Sequence, residues 1–204
     1  RAAAFLVEGR ALPQVDGPWR TFWDRFHFQP RAQAFVADSN AYVVHPRVLR
    51  YVERGSAVWL YDAHHDGGYA PEHRQRVRAG TVTCEDWGIY VAAHTGRPYE
   101  HRYPTWQDPT LEPEPQAPVR RAIDDGTSPP VVFDRVFVCR SGAWVPPWCD
   151  ADFEAFVRAI PVRRVVRLEE DPSPPRHFRL ADAEAHASQI REITGLKAEG
   201  TNRE

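Results

Sequence analysis

Two stretches, "SAVWLYD" at 56–62 and "VVFDRVFVC" at 131–139, place apolar residues at consecutive rather than alternating positions. That pattern marks β-strands covered on both faces, as in a parallel sheet. "AFVA" at 34–37 predicts a shorter strand running into the polar turn Asp38-Ser39-Asn40, and "VRRVVRL" at 162–168 another. Helical signals lie between them. "HPRVLRYVERG" at 45–55 has Pro46 near its first turn, Val48, Leu49 and Val52 on one face, and Gly55 as a stop. "CEDWGIYVAAHTG" at 84–96 predicts a helix closed by Gly96, "DADFEAFVRAI" at 150–160 one capped by Asp150, and 180–194 a final amphipathic helix ended by Gly195. Residues 18–29 are dense in aromatics without a clean period, which fits a packed surface segment or a short helix. The proline-rich 108–118 reads as an exposed loop, and "DPSPP" at 171–175 as a break. Apolar strands alternating with helices predict an α/β fold, three-layer αβα with a mainly parallel central sheet.

Composition adjusts this picture little. A chain of 204 residues, 42% hydrophobic and 26% charged, suits one core. One domain over 1–204 is therefore expected, with an aromatic N-terminal segment at 1–33 and a C-terminal helical segment at 169–204. The net charge of −2 argues against nucleic-acid binding, which needs a basic face. Lys197 is the one lysine among 26 basic residues, a skew that by itself names no partner. Cys84, Cys139 and Cys149 are odd in number and lack CxxC spacing, which fits reduced thiols. No apolar run reaches the ~18 residues of a membrane span, and "AAAFLV" at 2–7 is too short for a signal sequence. The chain contains no methionine, even at position 1, so further residues are expected ahead of Arg1. The expectation is a soluble cytoplasmic protein; oligomeric state stays open.

Directly behind the first apolar run stands "YDAHHDGGY" at 61–69, two aspartates and two histidines within five positions. If the strand runs on, Asp62, His64 and Asp66 project to one side. They then gather at a strand's C-terminal end, where open α/β sheets place their sites. Carboxylate with imidazole suits a divalent metal, Mn, Zn or Fe(II). Clustered carboxylates near a core are costly unless something neutralises them. The alternative is a polar loop that caps a helix or pairs with arginines. His65 faces the other way and is expected to pack or to support the site.

"DAHHD" resembles the DxHxD metal motif of the arginase/deacetylase superfamily. "CEDWGIYVAAHTG" followed by "YPTW" is similar to the "ENW…GH…HPTW" stretch of one branch of it, some bacterial members of which convert arginine side chains of a precursor peptide into ornithine and urea. The likeness covers about 35–155 and is firm over 57–106. It implies an arginase-like fold and a hydrolase acting on a guanidinium, in a small molecule or a peptide. Two departures stand out. The turn "ADSNAY" offers Asp38, Ser39 or Asn40 where the family has a metal-binding histidine. The later strand sets Cys139 and Ser141 where a DxD pair belongs, or, in a rival register, Asp134 and Val136. The dinuclear manganese set is therefore incomplete. What remains is one divalent ion, Mn or Zn, on Asp62, His64 and one of Cys139 or Asp66. An altered binding protein on the same scaffold and a mononuclear amidase or deacylase are the alternatives.

Around that motif, Glu85 and Asp86 are candidates for a general base or for pairing with a guanidinium, and equally for the acidic first turn of a helix. His94 is a candidate proton shuttle or a residue placed for the helix dipole. Asn40, Trp87, Arg140 and Ser141 are candidate substrate contacts, Arg140 for a carboxylate or phosphate. Trp106, Trp144 and Trp148 wall a pocket or sit in the core.

Overall fold

The computed structural model describes residues 2–8, 10–12, 18–141, 145–168 and 178–194. Trp144, all of 169–177 and Gly195 lie outside them, and with them the break at 171–175, one candidate pocket wall and the expected final helix stop.

Among the described residues six strands form two sheets, and every pairing between them is parallel. β1 (His27–Ala37) lies between β5 (Val132–Cys139) and β6 (Arg164–Arg167). β3 (Tyr99–Tyr103) lies between β2 (Trp59–Tyr61) and β4 (Val119–Ile123). The helices are α1 (Ala2–Val7), α2 (Pro46–Leu49), α3 (Pro71–Arg78), α4 (Trp87–Thr95), α5 (Asp150–Arg158) and α6 (Leu180–Thr194). The molecule is thus α/β with parallel strands as expected, but the described strands form two sheets rather than one.

β1 is buried on both sides. Ala34 and Val36 face one core with Trp23, Val138, Val157 and Ile160, while Phe35 and Ala37 face another with Val48 and Leu168. Period two along a strand produces this split. The register of β1 on β5 shifts between Phe28 and Gln33, so Pro30 falls where no regular ladder needs its missing N–H. The second sheet packs through Val58, Leu60 and Tyr99 onto Ile89 and Ala92 of α4. Tyr61 joins the two sheets, its ring standing edge-on to Phe26 at 5.1 Å.

Three elements depart from expectation. The helix predicted at 45–55 stops after one turn at Leu49; Tyr51 and Val52 follow in tighter i→i−3 turns, and the carbonyl of Val52 and the N–H of Gly55 then bond to His94 and Thr95 of α4. β2 ends at Tyr61, so the strand does not carry Asp62, His64 and Asp66 in one alternating row. α3 was not foreseen, since Pro-Glu-His-Arg-Gln-Arg-Val-Arg buries only Val77 and shows no apolar stripe. β3 and β4 escaped as well: Tyr-Glu-His-Arg-Tyr buries His101 where a sequence pattern looks for an apolar residue. No helix among the described residues is long and apolar enough to cross a membrane.

Candidate functional site

Parallel strands bring their C-terminal ends to common edges. Ala37 and Cys139 are register partners, and Asp62 follows β2 with its N–H donating to Arg102 O at 3.2 Å. The 62–66 bend is therefore rooted where β2 and β3 end.

Asp62 turns back on its own loop. Its Oδ1 accepts the His64 N–H at 3.0 Å and lies 3.8 Å from His64 Nδ1. That contact raises the proton affinity of His64, whose side chain is 63% exposed. His65 points inward and is fully buried. Its Nδ1 accepts the Gly67 N–H at 2.9 Å, which leaves Nε2 to donate to Pro113 O at 2.9 Å. Burial holds this ring neutral, its pKa below the usual histidine value. It packs on Tyr69 as the supporting residue the sequence suggested.

Asp66 is the centre of the arrangement. It adopts φ 49°, buried, in the left-handed region that Asp and Asn tolerate best. Its Oδ2 accepts Asn40 Nδ2 at 2.7 Å and Trp87 Nε1 at 2.9 Å. Its carbonyl accepts the Gly88 N–H at 3.0 Å, and the Gly68 N–H reaches Glu85 O at 2.8 Å, so the bend is stitched to the start of α4. Desolvation, then the charge of Asp62, lift the Asp66 carboxyl to about 7. Asn40 reaches it from the turn after β1, which Ser39 Oγ caps by accepting the Ala41 N–H at 3.3 Å.

Other candidates divide sharply. Cys139 ends β5 with its Sγ accepting the Ser141 N–H at 3.1 Å, Ser141 itself standing at φ 53°. Burial pushes this thiol up to about 12, with the negative charge of Asp62 and Asp38 acting in the same sense. Arg140 is taken by Asp38 at 2.6 Å and Asp150 at 3.3 Å, carboxylates of the chain itself. Asp86 is fully buried beneath Arg76, whose Nη2 and Nε donate to Oδ2 at 2.6 and 3.0 Å, while the Thr83 N–H binds Oδ1 at 2.7 Å. Glu85 is half exposed and only skirts Arg76 at 3.9 Å and His73 at 4.0 Å. His94 lies about 10 Å along α4 from Trp87 and bonds Val52 O at 2.8 Å. It lines a groove of about 600 Å³ between α3 and α4 with Arg74, Arg78 and Tyr90.

The structure thus brings together Asn40, Asp62, His64, Asp66 and Trp87, with Cys139 within reach of their charge. It does not bring Asp86, His94 or Arg140 to them. It adds His101, unforeseen in sequence, whose Nε2 donates to Asp62 O at 2.9 Å. The alternation of Tyr99, His101 and Tyr103 along β3 was the signal that would have pointed to it.

Among the described residues no three His, Cys, Asp or Glu side chains gather in an arrangement that holds a metal ion. The donor set explains this. Asp66 Oδ2 already takes two N–H groups, His64 leans outward, and Cys139 keeps its proton. Amide and indole hydrogens both fall on Asp66 Oδ2. As they stand, these residues do not form a ligand shell.

The chain matches no protein-family model, no curated protein and no solved structure.

Proposed function

We propose that this chain is a binding protein on a three-layer, arginase-like αβα scaffold, whose 62–66 bend receives the guanidinium of an arginine side chain, free or within a peptide. One observation carries the reading. Asp66 is a buried carboxylate that meets only neutral donors, Asn40 and Trp87, and has the like charge of Asp62 beside it. Buried carboxylates are otherwise paired with a cation. A guanidinium supplies both the missing charge and a planar fork of donors for a carboxylate. The exposed His64 and partly exposed Asp62 form the mouth through which it enters. Three free thiols support a cytoplasmic setting.

Calorimetric titration with N-acetyl-arginine amide, in chelator, tests this. Binding strengthens as pH rises through about 7, where Asp66 gives up its proton, and disappears in Asp66→Asn. Absence of binding at pH 8 overturns it.

A second reading, a hydrolase acting on that guanidinium or on an amide with one divalent ion, is favoured by Asp62 and His64 facing each other at 3.8 Å. It requires His64 and Asp66 to turn from their present partners. One tightly bound Mn or Zn ion, lost in Asp62→Ala or His64→Ala, together with release of urea from an arginine peptide, would establish it over the first.

A further inference from the structure

The order β5–β1–β6 and its register set Arg135, Gln33 and Arg164 in one row across the first sheet. The next row on the same face, two residues further along, is Phe137, Phe35 and Val166, which packs with Val48 and Leu168. Residues two apart on a strand share a face, so the polar row borders this core on its N-terminal side. Tyr51 connects the two rows. Its ring stands 6.0 Å from that of Phe35, and the Arg135 guanidinium lies over it, 3.9 Å from the centroid. Arg50 lies over the same ring at 4.7 Å and donates from Nη2 to Tyr51 Oη at 2.7 Å. Arg164 is exposed on β6, two strand spacings or about 10 Å from Arg135 at the backbone.

The chain does not balance these guanidiniums. No ion pair among the described residues involves Arg50, Arg135 or Arg164. Glu53 and Asp134, the carboxylates nearest in sequence to Arg50 and Arg135, are exposed. By contrast Arg140, just past β5, has Asp38 and Asp150, and Arg167 of β6 has Glu154. Arg135 gives Nη1 to the carbonyl of Asp134, while its Nε is buried without a hydrogen-bond partner. Buried N–H groups are otherwise satisfied. One arginine at the rim of a core keeps its stem on the core and its head in water. Two on one ring, with a third on the same face, repel one another unless an anion stands between them.

We infer that Arg50, Arg135 and Arg164, with the Gln33 amide between the last two, bind the phosphate group of a small ligand. Guanidinium forks match phosphate oxygens in pairs. A phosphate group offers the third oxygen and the second charge, which a carboxylate lacks and three separate forks can use. Gln33 lies four residues, about 13 Å, back along β1 from Ala37. Asn40, which reaches Asp66, leaves from the other end of that strand. The phosphate site is therefore separate from the 62–66 bend and does not depend on the reading given to it.

The test titrates the full chain at low salt, where screening is weak, with inorganic phosphate, phenyl phosphate and acetate. Phosphorus NMR follows the two phosphates, and the rise in melting temperature follows all three. The wild type binds phosphate about tenfold or more tightly than acetate, the margin of one further charge-assisted bond. Tighter binding of phenyl phosphate sustains the site as one for a phosphate ester; inorganic phosphate binding at least as well sustains it as one for the free ion. Arg164→Gln, at an exposed position, keeps the melting temperature of the unliganded chain and loses about tenfold in phosphate affinity. Arg135→Lys keeps the charge, loses the fork and weakens binding by a similar factor. Arg158→Gln, exposed on α5 across the sheet, leaves the affinity unchanged. Phosphate affinity unaltered in Arg164→Gln or Arg135→Lys overturns the site, as does an equal loss in Arg158→Gln. A wild type that binds acetate as tightly as phosphate, or binds neither, overturns it too.

Discussion

The indole N–H of Trp87 and the amide of Asn40 meet on a single oxygen of Asp66, at 2.9 and 2.7 Å. Two elements far apart in sequence, the turn after β1 and the first residue of α4, thereby clamp the loop after β2. The clamp provides hydrogen bonds without positive charge, and this imbalance underlies the behaviour expected of the site.

Replacing Asp66 by asparagine should stabilise the protein at alkaline pH. The folded carboxyl titrates near 7 against an ordinary 3.8, so the folded state holds a proton that the unfolded chain has released. Stability from this group therefore falls as pH rises through that window and stays low above it. Asparagine keeps the acceptor oxygen and tolerates positive φ. Asp66→Asn should gain on the order of 1–3 kcal/mol at pH 8, with the gain vanishing towards pH 4. Urea unfolding across that range measures it; equal stability at pH 8 would contradict the assignment.

Removing one side of the clamp should raise the titration point further. In Asn40→Ala the carboxylate loses a donor that favours its ionised form. Carbon-detected NMR of the Asp66 carboxyl should place its midpoint above the wild-type value, and a downward movement would refute the role given to Asn40.

Glu85 and Asp86 should separate cleanly. Asp86 is buried under Arg76, and its removal strands the guanidinium and the Thr83 N–H. Asp86→Ala is expected to cost about 3 kcal/mol, whereas Glu85→Ala, exposed and loosely paired, should stay within about 0.5 kcal/mol. Thermal unfolding of both variants decides whether the acidic pair is structural at 86 alone.

Gly88 is a close-approach position rather than a flexible one. A Cβ there would lie 2.7 Å from Tyr99 Oη and 2.9 Å from Asp66 O. Glycine to alanine inside a helix normally gains about 1 kcal/mol. Here the substitution should destabilise instead, and the Tyr99 hydroxyl should lose its bond to His65 O. A rise in melting temperature for Gly88→Ala would show that the α4–bend contact is looser than described.

How much of this was readable beforehand follows from what each residue buries. β5 at 132–139 was plain as a consecutive apolar run, and α5 and α6 from apolar positions that repeat with the helical period. The 62–66 bend was visible as a concentration of charge behind an apolar run, and Asn40 and Trp87 stood in suspected positions. Their actual task, binding Asp66, depends on a meeting across 26 and 21 residues that no local pattern encodes. Asp86 looked like a helix-start acid or a catalytic one, and only Arg76, from a helix without an apolar stripe, shows it to be an internal counter-ion. His101 was hidden because the alternation along β3 places a histidine where a pattern search looks for an apolar residue.

Trp23 lies at the junction of the two sheets, its Nε1 bonded to Phe156 O at 2.9 Å and its ring 4.8 Å from that phenylalanine. Phe22 and Phe26 connect it to Tyr61 of β2, and Phe26 to Phe133 of β5. A continuous aromatic seam of this kind makes the near-ultraviolet spectrum a built-in gauge of whether both halves are assembled. If they separate, the optical signature of the seam fades before the helices melt; if they are one cooperative unit, the two signals vanish together.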